Sequence, residues 1–146
     1  MTVTTHSADE TIQFGRKIGQ LLKKGDIIAF IGGLGSGKTT ITSGIAEGMG
    51  NSVAVMSPTF TLVNEYRAGE IEIYHFDMYR IIGEDALEST GFFDYPLHDS
   101  VFIIEWAENI LECLPENTIF IKFEYIDENT RKIEINGDER FADIGN

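Results

Sequence analysis

The sequence predicts an α/β fold in which a mixed, mostly parallel sheet is flanked by helices and ends in a C-terminal edge hairpin. Two continuous apolar runs, residues 27–31 and 101–104, have the composition of strands that are buried on both faces. Segments with helical periodicity lie on either side of the first run. The chain has 146 residues and is 42% hydrophobic, which suffices for one core, so we expect a single domain over residues 1–146.

The first half of the chain predicts two helices and a central strand. The Ser-x-x-Glu spacing at residues 7–10 indicates a helix that starts near Ser7 and runs to Gly25. Residues 26–31 follow as the buried strand, and a glycine-rich turn leads into "ITSGIAEGMG", which we expect to be a short helix weakened by its glycines. "SVAVMS" at residues 52–57 is a candidate strand.

The second half predicts two hairpins around another buried strand. "TLVNEYR" and "EIEIYHFD" flank Ala-Gly and indicate a first hairpin, and "EDALESTGFFDYPL" indicates a helix followed by a loop. "SVFIIE" at residues 100–105 is the second buried strand. "TIFIKFEYI" and "RKIEING" alternate around "DENT", which predicts a closing hairpin at the edge of the sheet.

Charge and composition restrict the class of function. The formal net charge of −13 repels phosphate backbones, so we expect no strong direct binding of nucleic acid. No apolar run approaches the ~20 residues that cross a bilayer, and "MTVTTHSADE" lacks the features of a signal peptide. Cys113 is the single cysteine, which is typical of a reducing compartment. We therefore expect a cytoplasmic protein without a membrane anchor.

The turn after the first buried strand has the pattern of a phosphate-binding loop. "GGLGSGKT" at residues 32–39 matches G-x-x-x-x-G-K-[ST] between a strand and a helix, which predicts a P-loop NTPase-like domain. Glycines allow backbone N–H groups to approach phosphate oxygens closely, and the helix adds its positive end. Lys38 suits the β- and γ-phosphates, while the Thr39 hydroxyl suits Mg²⁺. No Asn-Lys-x-Asp tetrapeptide occurs, which favours ATP over GTP.

Two acidic residues at strand ends are candidates for the metal side of this site. Glu105 closes the buried strand and is the first choice, and Asp77 in "YHFDMYR" is the second. For each, the alternative is an ordinary solvated acid, since the chain has 24 Asp and Glu. Arg80 fits phosphate-charge stabilisation and a structural ion pair equally well, and His75 is expected to pack within its strand.

The loop "SPTFTLV" carries hydroxyl groups at Ser57, Thr59 and Thr61 on a turn that Pro58 stiffens. In a nucleotide-driven protein such a loop can sense the γ-phosphate. Taken alone, the segment favours an ordinary Ser-Pro turn.

In this order, "GGLGSGKTT", "SPTFTLVNEY", "YHFDMYR", "GFFDY" and "IIEWAE" resemble the TsaE family over nearly the whole chain. These are small bacterial ATPases that are needed to make threonylcarbamoyladenosine in tRNA. The resemblance implies an Mg²⁺-dependent ATPase that acts with a TsaD–TsaB complex. That complex modifies adenosine 37 of tRNAs reading codons that begin with A, so tRNA is reached only through these partners.

The resemblance also implies roles for residues. Lys38 and Thr39 would hold phosphate and Mg²⁺, Glu105 would lie on the metal side, and Asp77 would lie near the metal and the attacking water. Trp106 would belong to the nucleotide site. The nucleotide-binding set implied in this way comprises Gly32, Gly33, Leu34, Gly35, Ser36, Gly37, Lys38, Thr39, Thr40, Thr61 and Trp106, with Thr11 and Arg131 near the adenine.

One position departs from the family pattern. Gly33 stands where the family loop usually carries aspartate, so we expect slower turnover or a greater reliance on Asp77 and Glu105. Restoring aspartate at Gly33 without a change in hydrolysis rate would count against this. Two other functions stay open at this point. A nucleotide-gated assembly module would use ATP binding without essential hydrolysis. A small-molecule kinase would need a lid rich in arginine, and no basic cluster follows Arg80.

Overall fold

Seven strands in the described residues make up one sheet. The computed structural model describes residues 1–32, 37–52, 54–58, 62–136 and 139–144. Its strands are β1 (Thr2–Thr5), β2 (Ile27–Ile31), β3 (Val63–Ala68), β4 (Ile71–Asp77), β5 (Ser100–Glu105), β6 (Ile119–Tyr125) and β7 (Arg131–Asn136). They pair in the order β1-β7-β6-β2-β5-β4-β3.

The centre of the sheet is parallel and its outer pairs are antiparallel. Strand β2 pairs in parallel with β5 and β6, and β4 pairs in parallel with β5. The pairs β1–β7, β6–β7 and β3–β4 are antiparallel. The predicted α/β class with a mixed sheet is therefore confirmed. The C-terminal hairpin is formed by β6 and β7 but lies one strand inside the edge, because β1 pairs with the outer side of β7.

The sheet separates two apolar layers. Helices α1 (Ala8–Leu21) and α2 (Lys38–Met49) cover one face, where Ile28 and Phe30 point. Helix α3 (Glu84–Ser89) and the 3₁₀ segment Ala107–Cys113 cover the other face, where Ile27 and Ala29 point. Because β2 is buried on both faces, its sequence is a continuous apolar run instead of an alternating one. Further 3₁₀ turns are Phe92–Asp94, Leu97–Asp99 and Glu139–Phe141.

Glycines let α1 and α2 pack with their backbones in close contact. A Cβ built on Gly19 would lie 2.1 Å from the carbonyl oxygen of Ile45, and one on Gly44 would lie 2.3 Å from that of Ile12. Gly15 and Gly48 make equivalent approaches. Glycine has a low intrinsic helix propensity, but the glycines of α2 allow it to pack closely on α1. With this packing, α2 extends over 12 residues.

Helix α1 begins where the sequence predicts. The Ser7 hydroxyl oxygen accepts a hydrogen bond from the backbone N–H of Glu10 at 3.1 Å, and the Glu10 carboxylate accepts one from His6 N at 2.7 Å. The helix ends at Leu21, short of the predicted Gly25. The predicted strand at residues 52–57 is wrong over its described residues, 52 and 54–57, which carry no strand pairing.

A partly buried ion pair joins the turn before β2 to the last described turn. Arg140 donates from Nη1 to Asp26 Oδ2 at 2.8 Å and from Nη2 to Oδ1 at 2.9 Å. Asp26 is 5% exposed and also accepts from the backbone N–H of Lys23. The guanidinium additionally donates to the carbonyl of Leu21, so it closes the end of α1.

None of the helices in the part of the chain that the structure describes has the length and apolar character to cross a bilayer.

Candidate functional site

Two carboxylates lie side by side at the carboxyl ends of β4 and β5. Asp77 and Glu105 are direct partners in the parallel register, and each is the last residue of its strand. They are only 6% and 7% exposed. The carboxyl ends of parallel strands are where α/β proteins bind ligands. The sequence predicted both acids separately, and the register brings them together.

Lys38 faces this acid pair from the start of α2. It follows Gly37, whose backbone is left-handed (φ 99°), a conformation that glycine adopts without strain. Its side chain is buried, and Nζ lies 5.0 Å from the centroid of the Trp106 ring. Burial lowers the pKa of the Lys38 amine, while the charges of Glu105, Glu108 and Asp77 act in the opposite direction. The amine is therefore buried close to three carboxylates, whose charges favour its protonated form.

Trp106 connects the ends of β4 and β5. Its backbone is left-handed (φ 59°), which is uncommon for a bulky residue and turns the chain sharply after Glu105. Its ring packs on that of Tyr79 with a centroid distance of 5.0 Å. The Asp77 carboxylate accepts a hydrogen bond from the Tyr79 backbone N–H at 2.9 Å, and Asn109 Nδ2 donates to the carbonyl of Met78 at 2.7 Å. The two turns thus form one connected unit.

A histidine lies beneath the acid pair. Nε2 of His75 is 2.6 Å from Oε2 of Glu105, and the imidazole is completely buried. The expectation that His75 packs within its strand is met only in part, since its ring nitrogen also contacts the candidate metal-side acid.

Four residues that build this site were not predicted from the sequence. Glu108, Tyr79 and Asn109 lie in the turns after the strands, and His75 contacts Glu105. For His75 there was a signal, because residues two apart on a strand share a face, so it lies below Asp77. The other three follow strand ends in irregular turns, where no periodicity indicates side-chain direction.

A cleft opens beside the start of α2, at the ends of α1 and of the β6–β7 hairpin. It is lined by Ser7, Ala8, Thr11, Gly37, Thr40, Glu128, Asn129 and Arg131. The guanidinium of Arg131 lies over the Tyr125 ring at 4.6 Å and donates to the carbonyl of Asp127 at 2.6 Å. The Thr11 hydroxyl is 2.7 Å from that of Thr5 and is buried. Thr11 and Arg131, predicted from opposite ends of the chain, therefore do meet in one cleft.

The remaining predicted residues fall into three groups. Thr39 is exposed in the first turn of α2, and Gly32 follows β2. Arg80 is exposed in the turn after β4. Gly33, Leu34, Gly35, Ser36 and Thr61 lie outside the described residues, as does Thr59 of the candidate switch loop.

The donor set suits Mg²⁺ that is shared with a phosphate ligand. The two carboxylates and the Thr39 hydroxyl are oxygen donors, which Mg²⁺ prefers. In the described part of the chain, no three acidic, histidine or cysteine side chains form a self-contained metal site. Mg²⁺ is commonly held by one or two carboxylates together with phosphates and water, so the residues fit this ion.

The chain is similar to one family of known proteins. Residues 5–133 match the family model "Threonylcarbamoyl adenosine biosynthesis protein TsaE". A relative from Haemophilus influenzae, named tRNA threonylcarbamoyladenosine biosynthesis protein TsaE, is 39% identical over 92% of this chain and 89% of its own. The protein of the same name from Bacillus subtilis is 37% identical over 97% and 85%. The crystal structure of B. subtilis YdiB superposes with a TM-score of 0.74 at 30% identity, covering 99% of this chain and 90% of that one.

Proposed function

This chain belongs to the TsaE family, and we propose that it is a cytoplasmic Mg²⁺-dependent ATPase needed to make threonylcarbamoyladenosine in tRNA. One observation carries the ATPase part of the proposal. A buried lysine at the start of α2, directly after the glycine-rich sequence motif, faces two carboxylates that are adjacent in the register of β4 and β5. This combination is what hydrolysis of a nucleoside triphosphate requires.

Each residue has a distinct task in this proposal. Lys38 and the backbone N–H groups at the start of α2 bind the β- and γ-phosphates, and the lysine charge offsets the negative charge that builds up during transfer. Glu105 and Thr39 would hold Mg²⁺, and the ion would supply polarisation of the phosphate oxygens. Asp77 orients the attacking water. The water oxygen bonds to the γ-phosphorus as the bond to the ADP oxygen breaks, and one water proton passes to the released phosphate.

The surroundings restrict how water reaches the site. Trp106 covers Lys38 on one side, and Tyr79 extends the aromatic surface outward. An apolar wall next to the phosphates lowers the local dielectric and strengthens the interactions of Lys38 with them. The cleft that contains Thr11 and Arg131 lies beside the start of α2, and we propose that it binds the adenine.

We further propose that TsaD and TsaB are the partners through which this chain reaches tRNA. The net charge of −13 supports an indirect role, because a protein that grips tRNA directly needs a cationic surface. In this arrangement ATP hydrolysis drives or resets the modifying complex.

The test is product formation over many turnovers with TsaD, TsaB, tRNA and an activated threonylcarbamoyl donor. Sustained product is expected with the wild-type chain and the Lys24→Ala control, which changes an exposed lysine, but not with Lys38→Ala or without the chain. Equal product in all reactions would overturn the proposal. Glu105→Ala separates hydrolysis from binding, because retained modification without hydrolysis would identify a nucleotide-gated assembly module. Labelled phosphate must appear as inorganic phosphate, whereas its appearance on a metabolite would identify a kinase.

A further inference from the structure

We propose that His75 is a positioning residue for Glu105, an inference that rests on the proposed Mg²⁺–ATP site and adds to it. The imidazole holds one oxygen of the carboxylate from below, so that the other oxygen stays directed to the metal side. The contact between Nε2 and Oε2 is 2.6 Å long. Its two partners come from neighbouring strands and are 30 residues apart in the chain.

The register of the sheet explains how the two side chains meet. His75 on β4 is the partner of Ile103 on β5, and Asp77 is the partner of Glu105. His75 and Glu105 are therefore diagonal neighbours on the same face, a separation that long side chains can span. The histidine lies one step below the acid pair, on the core side of the site.

The direction of the hydrogen bond follows from the chemistry of the groups. A carboxylate group accepts hydrogen bonds, so we assign the Nε2–H tautomer to His75, which then donates a hydrogen bond to Oε2 of Glu105. Nδ1 is buried and has no hydrogen-bond partner within the described residues. The imidazole is completely buried and so does not reach solvent. Within the described residues, its hydrogen bond is to Glu105. A histidine that served packing alone would be replaceable there by an apolar side chain.

The consequence for the site is a restriction on the carboxylate. Glu105 has three rotatable side-chain bonds, and fixing Oε2 removes most of that freedom before any ligand arrives. Oε1 is then the oxygen that is available to Mg²⁺ or to its waters. Groups that orient metal ligands in this way typically change metal affinity about 10- to 100-fold when they are removed.

The test compares two amides that differ in reach. The glutamine amide nitrogen takes the place of imidazole Nε2, whereas that of asparagine takes the place of Nδ1. The quantity measured is the ratio of the affinity for a non-hydrolysable ATP analogue with Mg²⁺ to that with EDTA, by calorimetry. His75→Gln should keep most of the wild-type ratio, and His75→Asn should lower it about 10- to 100-fold. The affinity for the ATP analogue in EDTA should be the same for His75→Gln and His75→Asn.

Ile73→Val is the matched control for general loosening of β4. Ile73 is fully buried on the same face two residues earlier, and this change loosens the packing of β4 without altering the contact with Glu105. Its ratio should equal that of the wild type. If His75→Asn is too unstable to titrate, His75→Leu gives the same comparison with a well-packed apolar side chain.

The outcomes separate the two proposals. If the wild type shows a large Mg²⁺ effect and both the glutamine and the asparagine variants keep the wild-type ratio, His75 serves packing and this inference is overturned alone. If the wild type binds the analogue equally well with Mg²⁺ and with EDTA, the proposed metal role of Glu105 fails and the inference fails with it.

Discussion

Nζ of Lys38 lies 5.0 Å from the centroid of the Trp106 ring, so the amine at the start of α2 rests on the aromatic side chain that follows the Glu105 strand end. A lysine over an indole gains about 0.5–1 kcal/mol where it is partly exposed to water, and more where it is not. A triphosphate competes for the same cation with full negative charges. The proposed site therefore exchanges a weak partner for a strong one when nucleotide binds.

Trp106 fluorescence should respond to ATP for this reason. It is the only tryptophan in the sequence, so its emission has a single source. We expect the intensity to change as ATP with Mg²⁺ is titrated, since Lys38 leaves the ring for the phosphates. Lys38→Ala should remove the response and Lys24→Ala should keep it. An unchanged spectrum at ATP concentrations that calorimetry shows to be saturating would contradict the exchange.

The contact between α1 and α2 should not tolerate a methyl group. Gly19→Ala and Gly44→Ala each place a Cβ closer than 3.0 Å to a backbone oxygen of the other helix. We expect the free energy of unfolding to fall by about 1–3 kcal/mol in urea titrations, although alanine is the better helix former. Gln20→Ala, at an exposed position of α1, should change it by less than about 0.5 kcal/mol. Stabilisation by either glycine substitution would show that the helices can separate without cost.

Removing Arg140 should destabilise the fold without affecting the site. Arg140→Ala leaves the buried Asp26 carboxylate without its bidentate partner. Because the arginine side chain is 21% exposed, we expect a cost below the ~3–5 kcal/mol that breaking a fully buried pair takes. The exposed pair of Arg67 and Glu72 offers a comparison, since Arg67→Ala should cost less than about 1 kcal/mol. Urea titrations give both values. ATP affinity should be unchanged in folded protein, and a large loss of affinity would link this ion pair to the site.

Asp127 should contribute stability that depends on pH. Its carboxylate accepts hydrogen bonds from the backbone N–H groups of Asn129 and Thr130 at 2.9 Å each. The bond from Asn129 is the main cause that lowers the pKa of Asp127 below its ordinary value. With a folded pKa below the unfolded one, this stabilisation is complete above the unfolded value and is lost as the pH falls through the folded one.

Asp127→Asn isolates that effect because it removes the charge and keeps an acceptor. The wild type should be more stable than the variant at pH 7, and the difference should shrink as the pH falls below about 4. Chemical denaturation at pH 7 and at pH 2.5 measures both differences. A difference that stays constant between these pH values would mean that the charged form is not favoured by the turn.

Much of the site was predictable because its residues follow strand ends. The apolar runs predicted β2 and β5, and a glycine-rich turn after β2 predicted the position of Lys38. Asp77 and Glu105 were predicted as separate strand-end acids. Their direct pairing depends on the register of two parallel strands, and a sequence contains no local signal for such a register.

Other features depend on contacts between distant segments. Strand β1 has only four residues, and its "TVTT" forms a strand because β7 offers a free edge. The glycines of α2 disfavour a helix by intrinsic propensity, yet they are needed where α1, with its own glycines, packs against α2. Residues 54–57 have strand composition but carry no strand pairing, and the backbone of Met56 is held by the hydroxyl of Tyr66 instead. In each case tertiary contacts outweigh local propensity.

The cleft beside the start of α2 is assembled from residues 7–11, 37–40 and 128–131, which are far apart along the chain. Opening the cleft fully means separating the first helix, the α2 start and the β6–β7 turn. A ligand that fills the cleft binds the native state only, and at 100 times its Kd it adds about 2.7 kcal/mol to the free energy of unfolding. Amide hydrogens on all three segments should then exchange with solvent deuterium more slowly together, with the protection extending into β1, which has no contact with the ligand.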